Sequence, residues 1–266
     1  MIGSSTLCCC LGGMLIAAGA DDLQGFDPIG AIAGPEIELG SALIPTSLER
    51  GLDRGYVWRN RQRYGLRYGL SSGVHAEADE ALAELAKSFA YQTTSTPSVF
   101  NWTPPPGCQP QPWSCVFNQT ASSSAAHIAP LTELFREHQR RASLDIRATS
   151  ELVVTFVQNI AYRLPTEAYF ELLPPEVVVA DGSGDCDSKA LLAAMILKDL
   201  GVQTAMLYSR SLGHAALGVA LPGTGTTFAA GRTKYHFVEV TYPGWAIGTV
   251  PPQYDKPKQW EVLPLR

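Results

Sequence analysis

Cys186, His214 and Glu239 occur in that order along the chain, and together they have the chemistry of nucleophilic acyl transfer. Cys186 stands in Gly184-Asp185-Cys186-Asp187-Ser188-Lys189, directly ahead of the apolar run 190–200, which stops at Gly201. Asp185 is placed to cap a helix beginning here, and Gly201 to end it. A cysteine in the first helical turn meets outward-pointing backbone N–H groups and the positive end of the helix dipole. Both favour thiolate over thiol. An imidazole takes the thiol proton and returns it to the leaving group. A carboxylate fixes the imidazole's tautomer and stabilises its charged form. Each residue alone has an ordinary reading, that of a buried packing cysteine above all. The ordered set carries the argument.

The positioning elements follow from periodicity. After the cysteine helix, the runs 202–209, 213–221 and 235–242 are short, rich in β-branched and aromatic residues, and separated by Gly, Ser and Pro. Short links imply antiparallel pairing. Helices first and strands after predict an α+β domain, a helix packed on an antiparallel sheet, with His214 opening one strand and Glu239 inside the next. His236 falls out of step with Glu239 under strict alternation. Upstream, Ala81, Leu82, Leu85, Ala86 and Phe89 predict a helix over 76–89. Residues 93–126, rich in Ser, Thr and Pro, read as a long loop. A helical pattern spans 130–162 with a break near 143–148, and its second part presents Leu152, Val153, Phe156, Val157 and Ile160 on one face.

At this point the chain resembles the transglutaminase-like cysteine peptidase superfamily, over roughly residues 150–250. The matching text is Gly184-Asp185-Cys186-Asp187-Ser188-Lys189 with its helix, then Gly213-His214-Ala215, then Phe237-Val238-Glu239-Val240-Thr241 and Pro243-Gly244-Trp245. The resemblance implies a papain-like core whose triad would be Cys186, His214 and Glu239, the last a departure from the commoner Asp. By analogy with the side-chain donor upstream of the nucleophile in papain-like enzymes, it makes Gln158 the candidate oxyanion donor beside the Cys186 N–H. The implied function is a thiol acyl-transfer enzyme acting on peptide or protein amides through a thioester, with hydrolysis favoured over transamidation. The rival is a non-catalytic binding module that keeps the fold.

Composition sets further bounds. A chain of 266 residues can bury a full core, and its division reads as an apolar N-terminal segment (1–20), an extension (21–72) and the transglutaminase-like domain (73–266). A net charge of −5 argues against a nucleic-acid partner. Arg54, Arg59, Arg61, Arg63 and Arg67 interleave with Tyr56, Trp58, Tyr64 and Tyr68, and this reads as an extension packing its aromatics on the main domain rather than as a base-stacking platform. The segment Leu7–Ala20, followed by Asp21 and Asp22, reads as an export signal, though no Lys or Arg precedes it; the alternative is a buried or membrane-associated N-terminal segment. No other stretch approaches a membrane span. Export agrees with a disulfide between Cys108 and Cys115 across a proline-rich loop, which leaves Cys186 as the free thiol. The triplets Asn101-Trp102-Thr103 and Asn118-Gln119-Thr120 are glycosylation-type motifs in the same region. Asp181, Asp185 and Asp187 lack the ligand series of a calcium loop, and helix capping and dipole compensation explain Asp185 and Asp187, so neither metal nor cofactor is expected.

Overall fold

The computed structural model describes residues 4–5, 35–44, 51–94, 99–165 and 168–266; the apolar segment read as an export signal lies outside them. In chain order the elements are β1 (Ser4–Ser5), β2 (Ile37–Ile44), β3 (Gly51–Asn60), β4 (Gln62–Ser71), α1 (Ser72–Ser88), β5 (Gln92–Thr93), β6 (Phe100–Asn101), α2 (Pro112–Ala142), α3 (Ile146–Gln158), β7 (Ala161–Tyr162), α4 (Pro175–Asp181), β8 (Ser183–Gly184) and α5 (Cys186–Asp199). The remainder is β9 (Gln203–Ser209), β10 (His214–Ala220), β11 (Thr227–Ala230), β12 (Thr233–Val238) and β13 (Glu261–Pro264). The class is α+β.

Five strands form an antiparallel sheet in the order β11-β12-β10-β9-β13. Met206 and Tyr208 stand opposite Leu217 and Ala215, and Leu217 opposite Val238. These side chains share a core with α5, which packs along β9 and β10. Leu207, Ala216, Phe228 and Phe237 point the other way, into a second cluster with Trp260. The register therefore gives the sheet two apolar faces.

All residues of α5 from Cys186 to Leu197 are buried. Beyond its polar first turn α5 is apolar on every side as far as Leu197, as befits an interior helix, and it is enclosed by α2, α3, α4, β9 and β10. Leu191, Leu192, Ile196 and Leu197 are fully buried, each contributing about 1.5–3 kcal/mol. Asp185 caps its start by accepting from the Ser188 N–H.

The expected loop over 93–126 is half wrong. Residues 112–126 are the first half of α2, because Trp113, Val116, Phe117, Thr120, Ala121 and Ser124 recur at helical spacing and are buried. Pro112 suits a first helical turn, where its missing N–H leaves no bond unmade. Cys108 and Cys115 are disulfide-bonded across that start. In consequence Asn118 lies on a helix, its amide donating to Ser114 O at 2.7 Å while its Oδ1 accepts the Arg266 N–H at 2.6 Å. The expected break is present: Ser143 adopts a left-handed conformation (φ +52°) and Asp145 caps α3.

The strands β2, β4 and β3 make a second sheet, with β2 parallel to β4. Tyr56, Trp58, Tyr64 and Tyr68 are buried, whereas Arg61, Arg63 and Arg67 stay outside, paired with Glu151, Glu36 and Asp53. Trp58 packs on Phe135 of α2 and Phe156 of α3. Tyr56 donates its hydroxyl to Val179 O, and Arg54 donates Nε to Ala180 O at 3.2 Å, both on α4. These aromatics anchor the helices that lead to Cys186. Among the described residues no helix is long and apolar enough to cross a membrane.

Candidate active site

His214 opens β10 opposite Ser209, after a turn whose Gly213 has φ +56°, a region glycine adopts without strain. Its Nε2 lies 2.9 Å from Oε2 of Glu239. An ionised carboxylate only accepts, so Nε2 carries the proton, and in the neutral ring the lone pair sits on Nδ1. Glu239 follows the end of β12 instead of lying inside a strand. Its Oε1 accepts the Thr241 N–H at 2.8 Å and also the Thr241 hydroxyl. A side chain bonded to backbone two residues on competes with the ladder, which stops at Val238. Burial pushes the Glu239 carboxyl up, but hydrogen bonds from His214 and Thr241 and the charge on His214 outweigh it. The group is held below the usual carboxylate range.

The imidazole is covered. The Tyr254 ring stacks on it with centroids 4.0 Å apart and planes 12° apart, and Trp260 meets it edge-on at 6.1 Å. Trp260 Nε1 donates to Tyr254 O at 3.0 Å, which fixes the stacking partner. By alternation His214 falls with Ala216, on the sheet face of Tyr254 and Trp260, whereas Ala215 and Leu217 face α5. The α5 face of the sheet is thus the one opposite to the face that carries His214.

Cys186 is the first residue of α5, buried, and the free cysteine among the described residues. Helix geometry aims the first N–H groups out of this end. Gly184, two residues before it, sits close against α4, since a Cβ would lie 3.2 Å from the Val178 methyls and crowd them. Ligand atoms of Asp185, Cys186 and Asp187 lie within 4.8 Å of one another. Both aspartates accept from the Ser188 N–H, so helix capping accounts for them. Two carboxylates beside Sγ oppose a lone thiolate, so an ionised sulfur here needs a cation close by.

Lys189 is the residue that sequence reasoning passed over. It lies three positions after Cys186, on the same helix face, and is fully buried. Its Nζ donates to Ile160 O at 2.6 Å and to Thr241 O at 3.0 Å. Burial lowers its pKa to about 8, with the Glu239 charge opposing that fall. The first turn of α5 thus faces the 239–241 segment directly. A lysine inside an otherwise apolar helical run was the available signal.

Gln158 does not sit as the oxyanion reading requires. Its Nε2 donates to Glu239 O at 2.8 Å and to Trp245 O at 2.9 Å, which uses both amide hydrogens. The reverse amide orientation would set oxygen against two carbonyls. Gln158 braces the backbone of the acid from α3. The other histidines are engaged elsewhere: His75 lies between Asp79 and Asp181, His127 pairs with Glu176, His138 packs on Tyr64, and His236 is buried opposite Val219.

No family model, curated protein or solved structure matches the chain. The chemistry must therefore be argued from the geometry. His214 and Glu239 form a buried imidazole–carboxylate pair, and α5 brings the helix start bearing Cys186 against the same turn through Lys189. Such a set can deprotonate a thiol, hold the imidazolium that results, and stabilise an oxyanion at a helix start.

Proposed function

We propose that the chain is a thiol acyl-transfer enzyme with a papain-like, transglutaminase-like core, acting on amides of peptides or proteins and favouring hydrolysis. The observation that carries the reading is the His214 Nε2–Glu239 Oε2 contact at 2.9 Å, because it assigns the proton to Nε2 and the lone pair to Nδ1.

In this reading the Cys186 S–H proton passes to Nδ1, and the sulfur attacks the amide carbonyl carbon. Glu239 compensates the imidazolium charge. The backbone N–H of Cys186 donates to the carbonyl oxygen as it gains charge. The imidazolium then protonates the amide nitrogen, the C–N bond breaks and a thioester remains. Water, losing a proton to Nδ1, attacks the thioester; the sulfur leaves and regains a proton. An amine in place of water would give a crosslink, and the closed cover over His214 sets how far water is excluded. The Cys108–Cys115 bond supports an exported protein, since such a bond belongs in an oxidising compartment.

The test is the rate at which iodoacetamide alkylates Cys186 at pH 7, in wild type and in His214→Ala. The enzyme reading expects at least about a 100-fold slower reaction in the variant. Equal, slow rates in both would overturn it in favour of a non-catalytic binding module.

A further inference from the structure

Among the described residues Lys189 is the one lysine or arginine whose side chain is buried, and it lies one turn from Cys186. A buried ammonium is expensive: the penalty is several kcal/mol after relaxation. A methionine would fill the same space at no such cost, so packing does not explain the lysine. Its bonds do connect three parts of the candidate site. Nζ reaches Ile160 O, just past the end of α3, and Thr241 O, beyond the strand that precedes Glu239. Thr241 in turn donates its N–H to Glu239 Oε1. The charges around it are Glu239, which the ammonium senses, and Asp185 and Asp187 in the same helical turn. His214 faces the group from β10 through Glu239.

We propose that Lys189 is a positioning residue: its ammonium pins the Glu239–Thr241 turn to the first turn of α5 and supplies the fixed positive charge against which the buried carboxylate and imidazole are set. The inference rests on the proposed cooperation of Cys186 and His214 and adds its electrostatic frame. A positive charge near acids and imidazoles favours their deprotonated forms. Removing it moves their titrations upward and lets the 239–241 turn drift from α5.

The experiment compares the pH dependence of Cys186 alkylation by iodoacetamide in wild type, Lys189→Met, Lys189→Arg and His214→Ala. Lys189→Met is expected to stay folded by circular dichroism and to react about 10- to 100-fold more slowly at pH 7. The acid limb of its profile should move upward by about 0.5 pH or more. Lys189→Arg keeps the charge and should restore the limb even where its wider head leaves the rate low. A Lys189→Met profile that superimposes on wild type, while His214→Ala is slow, overturns this inference and spares the catalytic reading. A His214→Ala protein as fast as wild type overturns both. Should Lys189→Met not fold, the Lys189 ammonium is titrated by NMR in wild type and Glu239→Gln. A lower pKa in Glu239→Gln supports the coupling, and an unchanged one removes it.

Discussion

His214 holds Glu239 by one carboxylate oxygen at 2.9 Å, and Thr241 holds the other by both its N–H and its hydroxyl. The carboxylate is therefore held at both oxygens, and its charge falls on the imidazole nitrogen that bears the proton. Glu239→Gln keeps the shape and loses the charge. We expect Cys186 alkylation about 10- to 100-fold slower than wild type, a smaller loss than in His214→Ala. An unchanged rate would leave Glu239 with a structural role alone.

Gln158 separates a brace from an oxyanion donor. Its amide holds Glu239 O and Trp245 O, both in the region around the acid. Gln158→Ala leaves two buried or half-buried carbonyls with one donor fewer each, at about 1–3 kcal/mol per site. A brace predicts a lower urea midpoint together with slower alkylation by a simple probe that develops no oxyanion. An oxyanion donor predicts normal alkylation and normal stability, with loss confined to amide turnover.

The stacking of Tyr254 on His214 closes the imidazole to solvent. Tyr254→Ala opens that side. Alkylation by a bulky maleimide should quicken more than alkylation by iodoacetamide, because the cover obstructs size before it alters chemistry. If both reagents respond alike, Tyr254 is not the cover.

The helix start at Cys186 and the strands β9, β10 and β12 were legible because their signals are local: a capping Asp185, an apolar run, short β-branched segments. Burial of Tyr56, Trp58, Tyr64 and Tyr68 was legible from their alternation with arginines. The first half of α2 was not, because Ser and Thr dominate its composition while Trp113, Val116 and Phe117 bury its face. The partners of Lys189 and Gln158 were not legible for one reason. The carbonyls of Ile160, Thr241, Glu239 and Trp245 that accept from these side chains carry no mark in the sequence, and three of them lie more than 50 residues away. The strand β13 escaped notice because Glu261–Pro264 is short, ends in proline and pairs only with β9.

The Cys108–Cys115 bond closes a short loop at the start of α2. By loop closure alone it stabilises the fold by about 2 kcal/mol. A Cys108→Ser, Cys115→Ser protein should unfold at lower urea, and the excess hydrogen exchange should concentrate in the first turns of α2. Uniform loss of protection along the chain would place the bond's effect elsewhere.

The pH dependence of stability carries the signature of Lys189. Its folded pKa is about 8, whereas an unfolded lysine titrates near 10.4. Between these values the unfolded chain binds a proton that the folded chain has released. Stability from this group therefore rises with pH across that window, and the penalty of the buried charge is fully present below it. The gain is on the order of 2 kcal/mol between pH 8 and pH 10. Above pH 10 the buried Tyr56 and Tyr68 act oppositely: burial raises both pKa values, so stability falls as their unfolded counterparts ionise. Urea unfolding at pH 7.5, 9 and 10 should show wild type gaining on Lys189→Met over this range. If the difference between the two proteins does not change with pH, the ammonium does not titrate there and its burial is tolerated rather than strained.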